Sequence, residues 1–239
     1  MMKLNTILSR VLLLLLLCCT YVGSEARVPA KRHTIVDYVN KYVAEPEDEF
    51  TGALYDAWQH YLRQEPQDDG VTLVVDKAHG FMQYINNDTE NSWKMIAEMC
   101  YWNCSDLTHR LLAVNVYSWR DGYYSTQGQF DGISFIRITT ATNEWEYIGI
   151  DDVGVDPFIG IPFIGSGYNA DLNSFYIFDE DDNLTYITDE EFKQWERNRP
   201  VNIFTLPREG KDIEVTYHTG LEQRHNATYH WDGERFSAQ

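Results

Sequence analysis

Four oxygen-bearing residues stand at the spacing of a calcium loop. Asp179, Asp181, Asn183 and Glu190 occupy positions 1, 3, 5 and 12 of such a pattern, and hard oxygen ligands suit Ca²⁺. Leu184 takes the sixth position, where the loop needs glycine, and Glu190 also fits the first turn of a helix. These four are therefore weak metal candidates, and the plainer reading is a solvated acidic hairpin turn. His218, His225 and His230 offer imidazoles near the C-terminus. With Leu221-Glu222 as a turn, His218 would face His225 across two strands and could share a metal with it. His230 would point to the opposite face, so a third ligand is missing. Asp151, Asp152 and Asp156 are the candidates for a carboxylate pair, which glycoside hydrolysis needs across a cleft. Gly165-Ser166-Gly167 lacks the nucleophile-elbow pattern. Gly160, Gly165 and Gly167 match no phosphate-binding fingerprint. No catalytic motif and no cofactor signature emerges.

Aromatic residues suggest binding instead. Trp102, Trp119, Tyr123, Tyr124 and Trp145 fall at expected strand ends or turns, where an exposed ring could stack on a sugar. Cys100 and Cys104 are four residues apart. Along one strand that spacing spans ~13 Å, too far for a disulfide. A bond requires the chain to reverse around Trp102-Asn103, and the sequence leaves both states open. Asn87, Asn103, Asn183 and Asn226 head Asn-x-Ser/Thr triplets, which become surface points if the host glycosylates.

The chain has 239 residues and a formal net charge of −18. Lys3 and Arg10, the apolar run Val11–Cys19 and small residues at Ser24 and Ala26 form a signal-peptide pattern, with cleavage expected after Ala26. The leader holds two of the 19 Lys+Arg and one of the 37 Asp+Glu, so the remainder carries −19. The alternative is a lipoprotein acylated at Cys18 or Cys19, although Leu17 and Cys18 are poor residues to precede such a cysteine. The expected location is secreted or periplasmic. The negative charge disfavours nucleic acid, whose recognition needs clustered cations, and disfavours anionic membrane surfaces.

These residues must be carried by elements that the hydrophobic pattern outlines. Residues 33–65 read as two helices separated at Pro46. One stripe runs through Ile35, Val36, Val39, Tyr42 and Val43, and the other through Phe50, Leu54, Trp58, Tyr61 and Leu62. From Val71 the period becomes two. Strands are expected at 71–75, 81–85, 93–101, 111–119, 133–138, 145–150, 175–178, 184–187, 201–206, 213–218 and 225–231. On 93–101 the apolar side alternates with Lys94 and Glu98, which reads as a core face and a wet face. Residues 157–165 are apolar but broken by Gly and Pro, either a loop tucked on the core or an exposed lip. Thr188 and Glu191 form a capping box for a helix that buries Phe192 and Trp195. The expected class is α+β, mainly β, with two N-terminal helices packed on antiparallel sheets as a sandwich or open barrel. The division is a signal peptide over 1–26, a helical segment over 27–69 and a β-rich domain over 70–239.

Three segments together carry a resemblance. They are Glu98–Asp106 with Arg110–Val114, Leu206–Ile213 and Trp231–Phe236. They resemble uncharacterised secreted or periplasmic proteins of gut-type Gram-negative bacteria. The resemblance implies a strand, a Gly-Lys-Asp turn, a strand and a closing Trp-Asp-Gly turn in the last part. It implies a bacterial host, which weakens the glycosylation reading, and it transfers no activity. The functional expectation is a non-enzymatic binding module for a protein or glycan ligand. The alternative is a carboxylate-dependent hydrolase acting on a glycan.

Overall fold

A computed structural model describes residues 33–46, 49–90, 92–120, 123–126, 132–161, 166–178 and 183–239. The expected leader and its cysteines lie outside the described residues. Helix α1, Ile35–Tyr42, starts at Thr34, whose backbone N–H donates to the Asp37 carboxylate at 2.8 Å in a capping box. Helix α2 covers Glu49–Arg63. Of the expected stripes Ile35, Val39, Val43, Leu54 and Trp58 are buried, Tyr38 joins them from outside the stripe, and Leu62 at the end of α2 is 44% exposed.

A large antiparallel sheet follows. Its strands are β1 (Val71–Asp76), β2 (Phe81–Asp88), β3 (Trp93–Asn103), β4 (His109–Arg120), β5 (Tyr123–Thr126), β6 (Ile133–Thr139) and β7 (Trp145–Ile148). The order is β1-β2-β3-β4-β6-β7. Strand β4 divides its length between two partners: His109–Asn115 pairs with β6, and Tyr117–Arg120 pairs with β5. A small sheet, ordered β10-β9-β8, holds β8 (Ser166–Asn169), β9 (Ser174–Phe178) and β10 (Leu184–Ile187). Helix α3, Asp189–Asn198, comes next. A third sheet runs β11 (Val201–Thr205), β12 (Asp212–His218), β13 (Gln223–Trp231) and β14 (Phe236–Ala238) in sequence order. The α+β, mainly β class is as expected, and the sheets do not close into a barrel.

The large sheet is the middle layer. On one face Met82, Met99, Leu112 and Ile136 pack against the helical residues Tyr38, Leu54 and Trp58. On the other, Phe81, Cys100, Leu111 and Phe135 meet Phe204, Val215, Tyr229 and Phe236 of the third sheet. Alternation on β3 therefore separates two cores rather than core from water. This corrects the reading of Glu98. Its side chain faces the third sheet and is only 2% exposed. Residues His33–Gln239 form one compact unit. Among the described residues, no helix is long and apolar enough to cross a membrane.

Candidate functional site

The residues singled out from sequence disperse. Trp102 is 5% exposed and sits in the core, its indole N–H donating to the Lys211 carbonyl at 3.1 Å. Phe236 meets its ring edge-on at 5.1 Å. Trp102 therefore belongs to no sugar platform, because the third sheet covers the strand end that was expected to be open. Trp119 and Tyr124 are half-buried, and the Tyr123 side chain lies outside the described residues. The Tyr124 ring packs 4.3 Å from the imidazole of His218. Trp145 is half-buried under the Lys41 ammonium, 4.8 Å from its ring. Trp119 and Tyr124 are cross-strand neighbours on β4 and β5, but Trp102 lies in the core against the third sheet and Trp145 against the helices, so the described rings do not form one surface.

The cysteines carry free thiols, Cys100 buried within β3 and Cys104 half-buried just beyond it. The chain continues straight through Trp102-Asn103, so the reversal that a disulfide requires is not made. Burial pushes both thiols up, away from the nucleophilic range. The histidine pair is also corrected. The turn closes around Gly220-Leu221 rather than Leu221-Glu222, with the Thr219 N–H donating to the Glu222 carbonyl at 2.8 Å, so His218 faces Gln223 and His225 faces Thr216. His218 is buried, and desolvation holds its imidazole below the ordinary value. His225 approaches Glu214 at 3.4 Å, and His230 approaches Asp212 at 2.7 Å.

Asp179 and Asp181 lie outside the described residues. Asn183 and Glu190 are exposed, and no group of three or more metal-ligating side chains occurs among the described residues. Asp151 and Asp152 are exposed in a turn, and the Asp156 carboxylate accepts from the Phe158 N–H at 2.9 Å. The start of the apolar loop is tucked in. Pro157 is buried, and the Asn202 amide donates to the carbonyls of Pro157 and Ile159, both at 3.0 Å. Phe158 projects outward, and 162–165 lie outside the described residues. Asn226 donates to Ile159 at 2.6 Å, so its side chain is engaged; Asn87, Asn103 and Asn183 are exposed.

Two arrangements went unnoticed in the sequence. The first is a polar row of half-buried Gln83 and buried Glu98 and Asn115, cross-strand neighbours on β2, β3 and β4. Glu98 accepts from the Gln83 amide at 2.9 Å and from the Leu206 backbone N–H at 2.9 Å. Asn115 donates to the Phe204 carbonyl at 2.6 Å. The row thus ties β11 and the residue after it to the large sheet. Desolvation raises the Glu98 carboxyl, and its hydrogen bonds oppose that shift. Desolvation first, and the Glu98 charge second, raise the nearby Tyr117 phenol. The carboxyl is enclosed and satisfied, which makes it a structural clamp.

The second arrangement is open. The β8–β10 sheet and α3 contain seven aromatic residues, yet none of their described residues is fully buried. Period two divides the sheet into faces. Phe175 and Ile187 are cross-strand neighbours on one face, where Phe192 of α3 stacks on Phe175 at 4.1 Å. On the other face Tyr176 pairs with Tyr186, and Phe178 with Leu184. Leu184 is 43% exposed and Tyr186 46%. Tyr176 crosses Gly167 of β8, where an added β-carbon would collide with the Tyr176 ring and hydroxyl. The Tyr176 and Phe178 planes meet at 76°, and those of Tyr176 and Tyr186 at 77°. Asn169 donates to the Tyr186 hydroxyl at 3.2 Å, fixing that ring's tip. Among the described residues the arrangement is an aromatic surface with polar anchors. One signal was available in the sequence: apolar residues occupy both faces of 174–187, although a single short helix follows to cover them. The chain matches no protein-family model, no curated protein and no solved structure.

Proposed function

We propose that this protein is a non-enzymatic binding module working outside the cytoplasm after cleavage near Ala26. Its binding surface is the face of Tyr176, Phe178, Leu184 and Tyr186. One observation carries the reading: the module of β8–β10 and α3 has seven aromatics and no fully buried residue among those described. A three-stranded sheet of this size draws its stability from covering a hydrophobic face. Here α3 covers one face, and a ligand would cover the other. The leader pattern supports the location, and the net charge of −18 turns the partner away from nucleic acid.

The test has two arms. Mass spectrometry of the secreted protein is expected to give a mature chain starting at Arg27. An acylated Cys18 or Cys19 would replace release with tethering. Glycan and peptide arrays are then probed with the full mature chain and with a Tyr176→Ser/Tyr186→Ser variant. Retained ligands are expected to be lost from the variant, while a broad hydrolase screen stays silent. Ligands held equally by both proteins, or turnover of a glycan, would overturn the assignment.

A further inference from the structure

We infer that the aromatic face of β8–β10 receives a cationic peptide segment of a partner protein, with lysine or arginine side chains laid over Tyr176, Phe178 and Tyr186. The inference rests on the binding-module reading above and adds the chemical class of the ligand.

Four half-buried rings elsewhere in the molecule carry a cation over one face. Lys41 lies 4.8 Å from the Trp145 ring, Lys77 5.8 Å from Tyr61, Arg110 4.6 Å from Tyr101 and Arg224 4.3 Å from Tyr217. A ring face attracts a cation through its quadrupole, and the attraction grows as water is excluded. Among the described residues, no cation lies over Tyr176, Phe178 or Tyr186. Their planes stand near right angles to one another, so their π faces point in more than one direction. That arrangement suits several side chains of one segment better than a single flat sugar ring.

Charge selects among possible occupants. The chain carries −18. The residues that follow Phe178 in sequence are Asp179-Glu180-Asp181-Asp182, and Asp189 and Glu190 are exposed at the start of α3. A second copy of this chain would bring the same negative field to the interface and be repelled. A neutral glycan would gain nothing from that field. A basic segment gains both long-range steering and the ring contacts, so its arrival is faster and its seat is defined.

The experiment titrates three probes into the full mature chain by calorimetry at several salt concentrations: an alternating Lys-Ser peptide, its Nε-acetylated twin and a panel of neutral oligosaccharides. The Lys-Ser peptide is expected to bind, more weakly as salt rises, and the acetylated twin is not. Tyr176→Leu/Tyr186→Leu keeps the charge and the apolar bulk but removes two π faces. It is expected to weaken the peptide roughly five- to thirty-fold. Tyr186→Phe keeps the ring and is expected to bind nearly as wild type, and near-ultraviolet circular dichroism verifies the fold of each variant. Equal binding of the peptide to wild type and the double-Leu variant means diffuse charge attraction and overturns the inference. Binding of neutral oligosaccharide or acetylated peptide alone, lost in the double-Leu variant, overturns the cationic class and leaves the binding role intact. A dimer in sedimentation that the double-Leu variant abolishes has the same consequence. Silence in every arm overturns both.

Discussion

Glu98 accepts hydrogen bonds that favour its charged form, in a place where burial penalises charge more strongly. Its oxygens take the Gln83 amide and the Leu206 N–H, and burial raises its carboxyl above the ordinary value of 4.5. A raised acid binds its proton more tightly in the folded state. Its contribution to stability is therefore full below the unfolded value and is lost as pH rises through the folded one. Glu98→Gln removes the charge, and the Gln83 amide can turn its oxygen to meet the new NH₂. We expect this variant to stand level with wild type, or up to about 1 kcal/mol above it, at neutral pH. Glu98→Ala leaves the Leu206 N–H without an acceptor and opens a hole, and should cost about 2–4 kcal/mol. Urea denaturation across pH is the check. The wild-type advantage over Glu98→Gln should shrink as pH rises from 4.5 through the folded value. Asp76, Asp106 and Asp232 are lowered by their hydrogen bonds, Asp106 to about 2, so their support is lost as pH falls, in both proteins alike. Parallel stability curves for wild type and Glu98→Gln would sink this account.

At the scale of elements, the helix signals in the sequence were dependable because they are local. Thr188 and Glu191 do form the capping box: the Glu191 N–H reaches the Thr188 hydroxyl at 3.3 Å, and the Thr188 N–H reaches the Glu191 carboxylate at 2.8 Å. Most strand positions were legible for the same reason, since period two needs only a few neighbours, but β5, β8 and β14, of four residues or fewer, are too short to show a period and were missed. What each strand faces was not legible, because it depends on layers distant in sequence. Hence Glu98 read as wet and Trp102 read as a platform, and a turn set one residue earlier than expected takes His218 out of register with His225. The aromatic face of β8–β10 was hidden in the same way. Tyr176 and Tyr186 look like core residues in the sequence, yet Tyr186 is 46% exposed and Tyr176 only half-buried. That module also yields a prediction. Replacing Thr188 by Ala removes an N-cap worth about 1 kcal/mol. Because α3 and β8–β10 bury no described residue completely, their opening should be nearly independent of the main cores. Amide exchange should speed up across 174–198, while the main melting transition barely moves. A melting temperature that falls in step with the local exchange would mean that the module and the cores unfold as one unit.

The whole molecule sets two cores on opposite faces of one sheet, so neither helices nor third sheet can leave without exposing the middle layer. That arrangement supplies cooperativity, and the net charge of −18 works against it. Which electrostatic effect wins can be decided from the ion pairs. Arg63–Glu65 at 3.8 Å, Arg137–Glu146 at 3.7 Å and Arg224–Glu222 at 3.1 Å all lie at the surface, where each is worth about 0–1 kcal/mol. Among the described residues Arg110 is the buried cation, and its hydrogen bonds go to a carbonyl, a phenol and an amide. It donates to the His33 carbonyl at 2.6 Å and the Tyr38 hydroxyl at 2.8 Å, beneath the Tyr101 ring. Apart from Arg208–Asp76 at 2.9 Å, whose carboxylate is only 12% exposed, attractive pairs therefore contribute little that salt could remove, whereas repulsion among many carboxylates extends over the ~10 Å reach of charge at 0.1 M ionic strength. Salt should screen the repulsion more than the attraction. The melting temperature by calorimetry is expected to rise as NaCl goes from near zero to roughly 0.3 M, over which the Debye length falls well below the spacing of surface charges, and then to level off. A melting temperature that falls with added salt would show that specific pairs outweigh the repulsion, and that the acidic surface is part of what holds the fold.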